Sequence, residues 1–344
     1  MTVEIIQGDC LEVLRTMEAE SVHCVCTSPP FWNQRNYGID GQIGLERSPH
    51  EFVAKMVEVF SEVRRVLRAD GTCWINLGDS YCKAKNPGGR VGPNTCMHSP
   101  HKDANAIQLW RPNKSDAISW GLKPKDLIGI PWRVALSLQS DGWWLRGDHP
   151  WAKPNGMPES VQDRPTRSHE YVFMLTKSER YWYDPEPVRT APKASSITRL
   201  AQDVENQQGS DRANGGSKTN GPMKAVKRKS DKQSGHSRQH AGFNDRWDQK
   251  EIDEQIDEGA NLRSVWWIPP AQTRGDHFAV MPERVAQICV LAGCPDGGIV
   301  LDPFCGTGTT GAVAIRNGCS FVGIELNPKD VRTAKRRLRQ RSLL

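Results

Sequence analysis

The stretch Gly298-Ile299-Val300-Leu301-Asp302-Pro303-Phe304-Cys305-Gly306-Thr307-Gly308-Thr309-Thr310-Gly311 decides the fold when read with Ser320-Phe321-Val322-Gly323-Ile324-Glu325 after it. The apolar run ending at Asp302 has the form of a buried strand, Gly311 to Asn317 that of a helix, and Ser320 to Ile324 that of a second strand closed by Glu325. Glycines in the turn let the backbone approach a ligand, and an acid about twenty residues further on can accept both hydroxyls of a ribose. No Lys follows the glycines, which argues against a Walker-type phosphate loop. Asp302-Pro303-Phe304 intervenes between strand and glycines, so the turn is wider than a dinucleotide fingerprint and suits a methionine tail better than a pyrophosphate. The unit reads as a nucleoside-cofactor site.

Strands and helices alternate before it. Val3 to Ile6 reads as a strand ending at Gly8-Asp9, Cys10 to Met17 as a helix, and Val22-His23-Cys24-Val25-Cys26 as a buried parallel strand. From Pro49 to Leu67, Phe52, Met56, Val59, Val63, Val66 and Leu67 recur at helical intervals, and Asp70-Gly71 reads as the stop. Strands are expected at Thr72 to Leu77, from Trp143-Trp144-Leu145, at Glu170 to Leu175 and near Tyr181-Trp182-Tyr183. Helices are expected at Asp126 to Ser140, interrupted at Pro131, and at Pro282 to Ala292. Such alternation predicts a doubly wound α/β fold with a mostly parallel sheet covered on both faces.

Thr27-Ser28-Pro29-Pro30-Phe31-Trp32 follows the buried strand. Two prolines fix φ and remove two N–H donors, leaving a stiff cup rich in hydrogen-bond acceptors beside an aromatic ring. Such a cup suits an exocyclic amine on a flat base; alone, it would be read as a proline turn leaving a strand.

The chain has 344 residues and a net charge of +6. Between Ala191 and Lys250 there are twelve Lys and Arg against six Asp and Glu, an excess equal to that of the whole chain. A second loop, residues 81–125, holds eight basic residues against Asp103 and Asp116. Two basic insertions on a balanced body point to a polyanionic partner. Residues 1–189 are expected to form one half of a domain and residues 263–344 the other, with residues 190–262 a polar, basic insertion between them. Cysteines such as Cys24, Cys26, Cys73 and Cys289 sit inside apolar elements, which fits reduced core thiols in a cytoplasmic protein. No apolar stretch is long enough to span a bilayer and Met1 to Ile5 has no signal-peptide character. Cys82, Cys96, His98 and His101 share a loop without matching a closed zinc framework, so no metal is expected.

Together the cup, the glycine turn, Trp151-Ala152-Lys153-Pro154-Asn155 with Arg164, His169 and Glu170, and His277-Phe278-Ala279-Val280-Met281-Pro282 resemble the DNA amino-methyltransferases of the beta group. That resemblance covers nearly all of the chain outside the basic insertions. It implies the seven-stranded S-adenosylmethionine-dependent methyltransferase sheet, circularly permuted so that the catalytic half comes first. It also implies transfer of a methyl group from S-adenosylmethionine to cytosine N4 or adenine N6 of double-stranded DNA. By the same resemblance Ser28, Pro29, Pro30 and Phe31 form the catalytic cup. Asp9, Thr27, His277, Phe278, Asp302, Pro303, Phe304, Gly306, Thr307, Gly308, Thr309 and Glu325 are assigned to the cofactor; locally, Asp9 reads equally well as a helix cap. Lys153, Asn155 and Arg164, with Lys227, Arg228 and Lys229 of the insertion, are assigned to DNA, and residues 190–262 to target recognition. A cytoplasmic, bacterial or phage-encoded enzyme, a homodimer and a cognate restriction endonuclease are expectations that rest on the resemblance alone.

Chemistry narrows the reaction. An amine conjugated to a base ring is a poor nucleophile, and accepting both its hydrogens at Ser28 Oγ and the Pro29 carbonyl pushes it toward a tetrahedral shape. Phe31 is assigned to stacking on the base, with Trp32 the alternative stacker or a packing residue. The amine is out of reach inside a duplex, so base flipping is implied. Methylation of cytosine C5 requires, in the family that performs it, a Cys after Pro, and no Pro-Cys dipeptide occurs here. Ser28 at the first motif position favours cytosine N4, with adenine N6 as the alternative. A protein or RNA methyltransferase would share the cofactor unit, but the Trp151 to Glu170 stretch and the basic insertion favour DNA. A non-catalytic DNA-binding relative predicts damage to one of the two motifs, and neither is damaged.

Overall fold

The computed structural model describes residues 1–82, 114–192, 197, 259–271 and 280–341. Two units divide the chain, Met1–Asp184 with Arg263–Leu344, and Pro185–Leu262. The described part of the second holds a 3-10 turn at Glu186–Val188 and an antiparallel bridge between Thr190 and Ala260. The first unit carries the sheet.

Its strands are β1 (Val3–Gln7), β2 (Val22–Thr27), β3 (Leu67–Leu77), β4 (Trp144–Ala152), β5 (His169–Thr176), β6 (Trp266–Trp267), β7 (Ile299–Asp302) and β8 (Ser320–Glu325). Its helices are α1 (Cys10–Thr16), α2 (Pro49–Val66), α3 (Lys114–Ser119), α4 (Ile130–Ser140), α5 (Glu283–Gly293), α6 (Thr309–Arg316) and α7 (Pro328–Arg341). One eight-stranded sheet runs in the order β1-β8-β7-β2-β3-β5-β4-β6. Pairings from β1 through β3 are parallel, those of β5 with β3 and β4 antiparallel, and β6 joins β4 in parallel. The chain's beginning and end therefore meet mid-sheet, with Cys24 opposite Val300 and Val25 opposite Leu301.

Burial on both faces explains the continuous apolar runs of the central strands. Val25, Cys73 and Ile75 join the core formed with α1, α2 and α4. Cys24 on the opposite face donates to the Cys289 carbonyl of α5, which packs against α6, itself in contact with α7. In α2 the expected Phe52, Met56, Val59, Val63 and Val66 are all buried.

Several boundaries differ from the sequence expectation. Seven strands were expected; the two-residue β6 makes an eighth. Asp70-Gly71 does not stop α2, which ends when Leu67 turns extended and enters β3 directly. Those residues instead form a bulge, where the partner of β2 jumps from Leu67 at Val22 to Thr72 at Cys24. Pro131 does not interrupt α4 but lies in its first turn, where a missing N–H costs nothing. Tyr181 to Tyr183 forms no strand, although the Trp182 N–H donates to the Asp70 carbonyl at 2.8 Å.

Gly311 permits close contact between α6 and β8: a Cβ there would lie 2.5 Å from the Phe321 ring and 2.9 Å from Leu338. Phe321 is fully buried and cannot retreat. Gly311→Ala is therefore expected to lower the unfolding free energy by about 1–3 kcal/mol in denaturant titration; an unchanged midpoint would contradict this packing.

Candidate active site

A pocket opens at the carboxyl ends of β1, β8, β7 and β2, where strand order reverses, the usual ligand position in an open α/β sheet. One wall comes from the glycine turn with Pro303, Phe304, Gly306, Thr307, Thr309 and Thr310. Glu325, Leu326, Asn327 and Asp330 form the next wall, Asp9 closes the far side, and Ser28 and Pro30 stand at the cup end. Asp9 also accepts N–H bonds from Leu11 and Glu12 at 2.9 and 3.1 Å, so it caps α1 and lines the pocket at once. The loop after the cup adds Arg35, Tyr37, Ile39, Gln42 and Ile43, none of them expected from sequence.

The pocket's electrostatics fit a nucleoside that carries positive charge. Asp9, Asp302, Glu325 and Asp330 line it together with Arg35, a lining that would repel a pyrophosphate. The Gly306 N–H is already donated to Glu325 Oε2 at 2.7 Å, and Glu325 Oε1 accepts from the Asn327 N–H at 2.8 Å. A carboxylate has about four acceptor sites, so each oxygen keeps capacity for a diol hydroxyl. Burial raises the Glu325 carboxyl, against the N–H bonds from Asn327 and Gly306. Gly306 has φ +50 with open space where a Cβ would stand, and Gly308, also at positive φ, faces Ala334 and Leu338 of α7 instead of the pocket.

One hydrogen bond joins the two motifs. Thr27 Oγ1 donates to Asp302 Oδ1 at 2.6 Å, and the same oxygen accepts the Phe304 N–H at 3.0 Å. Thr27 is 0% exposed, so it braces Asp302 and does not itself line the pocket.

In the cup, Ser28 Oγ donates to Asn76 Oδ1 at 3.0 Å. Asn76, 2% exposed at the end of β3, donates through Nδ2 to Glu170 Oε2 at 3.1 Å and to the Tyr171 carbonyl at 3.2 Å. Two acceptors around Nδ2 settle which way the amide points, so Asn76 presents only its oxygen to Ser28. The serine proton is spent there, and the Ser28 lone pairs are left for another donor. Asn76 had no assigned role in the sequence; an Asn within an apolar strand, which must be hydrogen-bonded if buried, is the signal that could have found it. Phe31 packs its ring on Gly78, where a Cβ would lie 2.5 Å away. Trp32 is 2% exposed, with Nε1 donating to the Glu46 carbonyl, so it is a packing residue and cannot stack on a base.

The expected DNA contacts that the structure describes differ in their surroundings. Asn155 is exposed in the turn after β4. Arg164 pairs with Glu159 at 2.7 Å and lies 3.7 Å over the Tyr81 ring. Lys153 turns inward to Glu170. His277, Phe278, Lys227, Arg228 and Lys229 lie outside the described residues, as do Cys96, His98 and His101. Val280 and Met281, next to that first pair, line the pocket. Among the described residues no three metal-ligating side chains come together, and no helix is long and apolar enough to cross a membrane.

Residues 22–336 match the family model for N6/N4 DNA methylases. The chain belongs to that DNA methylase family. It is 42% identical over 336 residues to the Type II methyltransferase M.Cfr9I of Citrobacter freundii, covering 97% of this chain and 87% of that protein. Its fold is similar to PvuII DNA methyltransferase (cytosine-N4-specific), with TM-score 0.58 at 17% identity over 98% of this chain and 86% of that one. It is similar also to TTHA0409, a putative DNA modification methylase of Thermus thermophilus complexed with S-adenosyl-L-methionine, with TM-score 0.52 at 20% identity over 99% and 96% of the two chains. The protein is thus a DNA methyltransferase, and the acid-lined pocket with spare acceptors on Glu325 fits a nucleoside such as the S-adenosyl-L-methionine in that neighbour.

Burial pushes the Asp302 carboxyl of this DNA methylase from 3.8 up to about 6, against bonds from the Thr27 and Thr310 hydroxyls and the Phe304 N–H. The folded state therefore holds this proton more tightly than the unfolded one. Its contribution to stability is complete below about pH 4 and is lost as pH rises through about 6. Asp302→Asn keeps an acceptor for Thr27 and removes that titration. Relative to the variant, the wild-type unfolding free energy should fall by on the order of 3 kcal/mol between pH 4 and 7. A difference that stays constant with pH would contradict a buried, proton-binding Asp302.

Proposed function

We propose that this DNA methyltransferase methylates the N4 amine of cytosine in double-stranded DNA, acting on a base flipped out of the duplex. The observation that carries the reading is the Ser28–Asn76 hydrogen bond. With its proton given to Asn76, Ser28 Oγ can only accept in the cup, and an exocyclic amine is a donor. The Pro29 carbonyl is the second acceptor, and Phe31, held against Gly78, offers its ring to the base.

Bound S-adenosylmethionine supplies an electrophilic methyl group on its sulfonium sulfur. Ser28 and Pro29 take both amine hydrogens, which localises the nitrogen lone pair and aims it at the pocket, a gain in orientation as well as in nucleophilicity. The methylated nitrogen then releases to water one of the two protons that it was donating. Asp9 and Glu325 hold the adenosine part, while Pro303, Phe304, Gly306, Thr307 and Thr309 shape the wall along its tail. Asn155, Arg164, Lys227, Arg228 and Lys229 contact the DNA backbone, and residues 190–262 choose the target sequence. A cytoplasmic setting agrees with nine free, buried cysteines among the described residues. A cognate restriction endonuclease belongs to the same reading, as M.Cfr9I is a Type II methyltransferase.

Ser28 favours cytosine over adenine through the family resemblance, while its hydrogen bonding serves either amine. Nucleoside digestion and mass spectrometry of DNA treated with the purified protein should find N4-methylcytosine; N6-methyladenine in its place would transfer the assignment to adenine. Ser28→Ala should lower kcat about 100-fold or more while leaving S-adenosylhomocysteine affinity unchanged. An ordinary rate in that variant would sink the cup assignment.

A further inference from the structure

Lys153 stands in the sequence as a candidate phosphate contact, yet its side chain points into the protein. Its ammonium pairs with Glu170 Oε1, and the two side chains are only 21% and 17% exposed. It also lies 4.4 Å over the ring of Trp151, which is buried and donates through Nε1 to the Ile268 carbonyl at 2.7 Å. An ammonium paired with a largely buried carboxylate and seated on an indole leaves both only at considerable cost.

Glu170 carries the consequence inward. Its other oxygen, Oε2, accepts from Asn76 Nδ2, and Asn76 Oδ1 accepts from Ser28. The four side chains form one line from the end of β4 through β5 and β3 to the cup, each link pairing a donor with an acceptor. We propose that Lys153 is a positioning residue for methyl transfer, holding the Glu170 carboxylate in place as an acceptor so that Asn76 turns its oxygen, and not its amine, toward Ser28. Without Lys153 the Glu170 carboxylate loses the ammonium that fixes it opposite Asn76. The Tyr171 carbonyl is then the one acceptor left to orient the amide, and each rotation that turns Nδ2 toward Ser28 swings the serine proton into the cup against the substrate amine. The inference rests on Ser28 acting as the acceptor in the proposed function.

The test separates positioning from phosphate binding by salt dependence and by kcat against KM. Lys153→Met and Glu170→Gln should each lower kcat roughly 10- to 100-fold, the size of effect seen when a group that orients a functional side chain is lost. The KM for DNA should stay within about twofold, and the slope of log affinity against log salt should not change. Lys153→Arg, which keeps a cation for Glu170, should recover much of the rate. A phosphate contact predicts the opposite pattern for Lys153→Met, with weaker DNA binding, a slope smaller by about 1 and an unaltered kcat. That result would overturn the inference while leaving the Ser28 reading intact, whereas full activity in Ser28→Ala would remove the reading itself. If Lys153→Met does not fold, Glu170→Gln answers alone: a wild-type kcat there refutes the line.

Discussion

The hydrogen bond from Thr27 to Asp302 spans 275 positions of sequence and ties the strand that feeds the cup to the strand that feeds the cofactor turn. It is buried, and it holds a carboxyl whose pKa burial raises to about 6. Such a group is costly to bury unless its acceptor capacity is used. Here the Thr27 hydroxyl and the Phe304 N–H converge on one oxygen, fixing where the wide turn leaves β7. In the proposed function the distance between methyl donor and acceptor amine depends on this joint, because Ser28 follows Thr27 and Pro303 follows Asp302.

The permuted chain order is what makes that joint possible. Parallel β2 and β7 are neighbours at the reversal point of the sheet, so the cup and the cofactor turn emerge at the same end. The rest of the sheet serves the same end from the other side. Antiparallel β5 brings Glu170 and Tyr171 to the end of β3, where Asn76 takes both as acceptors. In the proposed function, cofactor placement is built on one half of the sheet and amine placement on the other, with β2 common to both.

Elements with strong local signals were legible from sequence. The periodic apolar residues of α2, the strand–glycine–helix–strand unit and the Ser-Pro-Pro-Phe turn each announce themselves within a short window. What escaped depends on pairing between distant segments. Asp70-Gly71 has the composition of a helix stop, and only the register between β2 and β3 shows that it is a bulge. Asn76 is one polar residue in a strand, and its meaning comes from Ser28 and Glu170, each far away in sequence. Lys153 was assigned to DNA through the family resemblance of its stretch; its partner on the neighbouring strand turned it inward. Arg35 and Tyr37 reach the pocket from a loop without any distinctive spacing.

The central claim is that Ser28 and the Pro29 carbonyl accept the two hydrogens of a flipped base's amine beside the cofactor pocket. A crystal structure of the protein with S-adenosylhomocysteine and its target duplex measures this directly. The account predicts an extrahelical cytosine with N4 within hydrogen-bonding distance of both Ser28 Oγ and the Pro29 carbonyl, its free face toward the cofactor sulfur, and Asn76 still bonded to Ser28. A flipped base whose amine is held by other groups, or a Ser28 hydroxyl that donates to the base, would contradict it.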